Sequence, residues 1–184
     1  MLARNPNLGR QMKTKALMLA MVLAMAGCSP PAPPEGIRPV ADFRLSSYLG
    51  VWHEIARLDH PFERGLEQVT AEYTLKPDGS LRVFNQGFDA VKGQWQSAEA
   101  RAYFTGPTNV ASLKVSFFGP FYGGYHVFAL DPERYALVAG SSRRYFWLLA
   151  REPTLPEGLQ TDLLARAAAV GFDTNALIWV KHLP

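Results

Sequence analysis

Apolar and polar residues alternate in short runs from Leu49 onward. Val69, Ala71, Tyr73 and Leu75 alternate with Thr70, Glu72 and Thr74, the period of two that a half-buried strand requires. Lys76-Pro77-Asp78-Gly79 then supplies a turn, and Leu81, Val83 and Asn85 share a face of the next strand. The same alternation sets Ala100, Ala102 and Phe104 on one face, and Leu113, Val115 and Phe117 on another. Further strands are predicted at residues 49–58, 125–130, 135–140 and 144–151. Eight strands joined mostly by hairpin-length links predict an all-β, antiparallel up-and-down β-barrel, which leaves no open edge. A β-sandwich with crossing connections is the alternative. Leu159, Leu163, Ala167 and Val170, between Pro156 and Gly171, predict one C-terminal helix packed on the barrel wall. Residues 176–181 read as a short final strand.

The start of the chain has a different texture. Lys13 and Lys15 precede an apolar run over residues 16–26 that is short for a bilayer span and ends in small residues, the pattern of a secretory signal. Residues 12–28 complete that pattern alone, so Met12 is an alternative start to Met1. Met25-Ala26-Gly27-Cys28 resembles the lipobox of bacterial lipoproteins, which implies cleavage before Cys28, acylation of its sulfur and, with Ser29 next, delivery to the outer membrane. Cys28 is the chain's one cysteine, so no internal disulfide is available. The expected organisation is a signal peptide over 1–27, a lipidated Pro-rich tether over 28–38 and a barrel domain over 39–184.

Charge narrows the function classes. The sequence pI is about 9.1, yet four of the 19 Lys and Arg residues lie in residues 1–27 with no acid among them, leaving 15 basic against 16 acidic residues. The basicity belongs to the leader and gives no ground for nucleic-acid binding. His53, His60, His126 and His182 show no metal-ligand spacing, so neither metal nor cofactor is expected, and they read as surface or strand histidines. Ser141-Ser142 beside Arg143-Arg144 falls in a hairpin turn with no base near it in sequence. The arginines read as a solvated mouth or phosphate contact. No catalytic residue is assigned.

Three blocks carry a family resemblance. Gly50-Val51-Trp52, then residues 125–131 with Tyr135-Ala136, then residues 145–153 ending in Arg151-Glu152-Pro153, resemble in order and spacing the conserved regions of lipocalins. Residues 62–67, 117–125 and 171–180 are similar to bacterial, outer-membrane members of that family. The resemblance implies that Arg151 lies over Trp52 at the closed end, next to Gly50, as a structural plug. It also implies an interior lined by Tyr73, Asn85, Phe104, Phe117, Tyr125, Val127, Tyr145 and Trp147, with Ala129 and Leu149 inward too. Ala71, Ala100, Ala102 and Ala136 on these faces favour an unfilled space. The expected activity is binding, for storage or transport, of a fatty acid or lysophospholipid, on the bacterial outer membrane and facing the periplasm. A homodimer fits the same reading. An envelope enzyme acting on lipids and an interaction protein docking through its loops are the alternatives.

Overall fold

A computed structural model describes residues 30–183; the signal segment and Cys28 lie outside the described residues. A one-turn helix α1 (Leu45–Tyr48) leads into β1 (Gly50–Arg57). Strands β2 (Leu66–Leu75), β3 (Leu81–Asp89), β4 (Gln94–Phe104), β5 (Ser112–Ser116), β6 (Gly123–Asp131), β7 (Tyr135–Ala139) and β8 (Phe146–Ala150) follow. Each pairs antiparallel with the next, and β1 pairs with both β8 and β2. The contact from Gly50↔Tyr73 to His53↔Thr70 closes the sheet on itself. That closure is the eight-stranded up-and-down barrel, and it rules out the sandwich.

Helix α2 (Glu157–Ala169) lies on the wall. Leu163 and Ala167 are fully buried against Ile55, Ala56, Leu148 and Phe172. Its end is set by Gly171 in the left-handed region, φ 88°, which a residue with a Cβ adopts only under strain. Phe172 N donates to Ala167 O at 3.1 Å and Gly171 N to Ala168 O at 2.9 Å, closing the last turn as the Gly-terminated cap requires. The final strand β9 (Ile178–Trp179) is shorter than expected, because residues 174–176 form a 3₁₀ turn before it. It lies on β1 through Ala56↔Trp179.

Besides a register shift between Glu67 and Thr70 in β2, two departures from simple alternation shape the interior. Register shifts fall between Glu54 and Ala56 in β1 and between Val127 and Ala129 in β6. An extra residue in one strand reverses which face later residues occupy. Ala129 therefore packs with the outer cluster under α2, and Leu130 takes the inward place expected of it. In β1 the same effect turns Arg57 inward. The packed domain also begins before residue 39, since Ile37 is buried in the outer cluster.

Residues 76–80, 105–111 and 132–134 make one end of the barrel, with α1. Residues 58–65, 90–93, 117–122 and 140–145 make the other. Truncation of Leu163 to Ala should lower unfolding free energy by about 3 kcal/mol without loss of barrel circular dichroism. A change under about 1 kcal/mol in urea unfolding would show that α2 contributes little to the wall.

Candidate functional site

The α1 end is sealed by one stacked pair. Trp52 is wholly buried, and the Arg151 guanidinium lies 3.8 Å from its ring centroid. Arg151 donates through Nε to Pro132 O at 2.9 Å, through Nη1 to Val51 O at 2.9 Å and through Nη2 to Ser47 O at 2.7 Å. Trp52 Nε1 donates to Tyr48 O at 2.8 Å. A single planar cation thus joins α1, β1 and the β6–β7 turn, using a fork of donors that lysine lacks. Burial draws the guanidinium pKa down, opposed by Tyr48 and Glu133. Gly50 sits at φ 92° beside Arg151, so the signature glycine is there for its backbone conformation. The structure brings Gly50, Trp52 and Arg151 together at this end of the barrel.

Above the floor lies a group of three tyrosines. Tyr125 Oη is 2.6 Å from Tyr48 Oη and 2.7 Å from Tyr73 Oη. Burial pushes all three phenols well up; for Tyr73 the Glu63 and Glu54 carboxyls add to this, against the hydrogen bond from Tyr125. They stay neutral. Three hydroxyls joined by two hydrogen bonds keep one O–H free to donate elsewhere. Val127, Phe104 and Trp147 join Tyr73 and Tyr125 in the interior cluster. Asn85 follows Val83 on the same face, and its Oδ1 is buried without a partner. Tyr145 stacks on Trp147 with 6.3 Å between centroids, at the loop end.

Phe117 departs from this pattern. It lies past the end of β5, is 43% exposed and borders an outer hollow of about 340 Å³ with Arg82, Arg101 and Tyr122. The alternation that placed it inward stops at Ser116, where pairing stops.

Near the loop end the interior holds a charged group that alternation does not reveal. Arg57, 1% exposed, donates through Nη1 to Glu54 Oε1 at 2.7 Å and through Nη2 to Glu63 O. Trp147 Nε1 donates to Glu63 Oε2 at 3.2 Å, and His60 Nε2 lies 3.0 Å from the same oxygen, an ion-pair distance without hydrogen-bond alignment. His60 is thus a buried loop residue, neither a surface nor a strand histidine. Burial pushes Glu54 well up, Glu63 adds to this and Arg57 opposes it. Burial also works to raise Glu63, but His60, Trp147 and Arg57 outweigh it and hold Glu63 down. Burial thus favours the protonated form of Glu54, while its neighbours favour the ionised form of Glu63. Glu54 was legible as inward, two residues after Trp52; Arg57 was hidden by the bulge, and His60 and Glu63 by their place in a loop.

Comparison with known proteins gives the family. The lipocalin-like domain model matches residues 43–182. The chain is a lipocalin. It is 53% identical over 159 residues to the outer membrane lipoprotein Blc of Escherichia coli K12, covering 86% of this chain and 90% of that one. Against the protein of the same name from Vibrio cholerae the identity is 49%, covering 93% and 99%. Insecticyanin of the tobacco hornworm shares the fold at a TM-score of 0.66 and 22% identity, over 84% of this chain and 88% of that one.

For this lipocalin the floor and the charged group give separate expectations. Arg151→Lys should lose about 2 kcal/mol of stability, because an ammonium cannot reach three carbonyls and stack at once; unchanged urea unfolding would contradict the plug. The raised Glu54 has a folded-state pKa above its ordinary value of 4.5. Its contribution is therefore complete below that value and is lost as pH rises through the folded pKa. Glu63, held down, contributes above 4.5 and loses that on acidification. Glu54→Gln should remove the alkaline-side decline in urea midpoint while keeping the acid-side one. An identical pH profile in the variant would contradict the assignment.

Proposed function

We propose that this lipocalin is an outer-membrane-anchored binding protein that stores or carries a fatty acid or lysophospholipid, with the acyl chain held inside the barrel. The observation that carries the reading is the polarity of the interior. Ala71, Phe104, Val115, Tyr125 and Trp147 face it and are only half-buried, so their inner surfaces are not fully packed by neighbours. The Tyr48–Tyr73–Tyr125 hydroxyls and the Glu54–Arg57–Glu63 group stand among these apolar walls. Such a lining suits a long apolar tail with one polar end.

Burial of a dozen methylenes offers about 10 kcal/mol gross, and lost ligand freedom brings this to the micromolar or submicromolar range. Placement at the outer membrane is supported by the relatives named for it and by the Met25–Cys28 lipobox, through which two acyl chains would give lasting attachment; in this reading the barrel faces the periplasm. No helix among the described residues is long and apolar enough to cross a membrane. Binding here needs no catalytic group, so the reading is a carrier and not an enzyme.

Trp147→Arg places a cation beside Arg57 and His60 in the acyl path. Titration of a fluorescent fatty acid should saturate with the native chain and show no saturable phase with the variant, while both keep the same far-ultraviolet spectrum. Equal affinity of the two would remove Trp147, and with it the barrel interior, from the binding site.

A further inference from the structure

Large apolar side chains stand in solvent at one end of the barrel. Phe62 is 78% exposed, Val91 93%, Phe118 81% and Phe121 79%, and they lie on three separate loops, residues 58–65, 90–93 and 117–122, that all surround the end opposite the Trp52 floor. Large apolar side chains gathered at one end of a domain, exposed to this degree, point to an interaction site. The fourth loop of that end, residues 140–145, carries Arg143 and Arg144 and no acid. Other large apolar residues, such as Val51 at 46% and Leu75 at 49%, are less exposed than these four.

The course of the chain says what this end meets. Arg143 donates through Nη2 to Glu35 O and through Nε to Val170 O at 2.8 Å, and Ile37 is buried with Phe146 and Phe172. From there the chain descends the wall: Val40 pairs with Val127 and Ala111, and Phe43 N donates to Asn109 O at 2.9 Å, by the floor. The chain therefore enters the domain beside the 140–145 loop, at the same end of the barrel as the exposed aromatics. Cys28 is three residues before Pro31, a reach of about 10 Å at full extension.

We propose that the barrel docks mouth-down on the phospholipid surface that holds its own anchor, with Phe62, Val91, Phe118 and Phe121 entering the interfacial layer and Arg144 facing lipid phosphates. Aromatic and aliphatic side chains beside basic ones are what that layer accepts. In this pose an acyl chain passes from leaflet to barrel without crossing water. The inference rests on the anchoring reading above, and its test does not depend on ligand binding.

The full chain, acylated at Cys28, is placed in vesicles of phosphatidylethanolamine with a minor phosphatidylglycerol fraction. A nitroxide is attached to Phe118→Cys, to Val91→Cys or, at the opposite end, to Thr108→Cys. Docking predicts that the labels at 118 and 91 become several-fold more accessible to oxygen than to a water-soluble nickel chelate, while that at 108 stays aqueous. Aqueous signals at all three positions overturn the proposal, as does spin–spin broadening at 118 without oxygen enrichment, which would mean that a second copy covers this end. Phe118→Ser with Phe121→Ser should keep fatty-acid affinity in detergent but slow uptake from vesicles several-fold. If the native chain binds no fatty acid, the carrier reading fails while the labels still decide the docking.

Discussion

The stacking of Arg151 on Trp52 fixes where this molecule is closed. A guanidinium over an indole contributes about 0.5–2 kcal/mol by itself, but its larger effect is connective. Three carbonyls, from Ser47, Val51 and Pro132, share one cation. A barrel of eight strands has a seam wherever its ends meet water, and here the floor is filled by side chains tied to backbone. Opposite that end lie the loops over residues 58–65, 90–93, 117–122 and 140–145.

The interior then grades from aromatic to charged. Near the floor the tyrosine hydroxyls bond in a chain with one O–H left over and stay neutral because burial disfavours their ionised form. Near the rim two carboxyls share space with one buried arginine, and burial shifts Glu54 towards its protonated form. Such a gradient suits a ligand with a tail and a head. The charged group lies between the floor and the loops.

Much of this was legible in the sequence. Alternation identified the strands, and the Pro156 to Gly171 interval gave the wall helix. The family blocks marked Trp52, Gly50 and Arg151 together, though they are far apart along the chain. What escaped followed from backbone irregularity. A bulge near Ile55 turns Arg57 inward, and another near Phe128 turns Ala129 outward, and neither has a residue signature. Phe117 lay beyond the last paired residue, where the period of two loses its meaning. His60 and Glu63 sit in a loop, so no periodicity could bring them beside Trp147.

Native mass spectrometry of the full chain, taken from membranes in mild detergent and then supplied with a lysophospholipid, bears most directly on the claim that the barrel encloses a single-tailed lipid. The account predicts one acyl-bearing molecule per barrel, retained as a discrete mass increment that saturates with added lipid. A chain that stays at its bare mass, or gains increments without a limit, would contradict it.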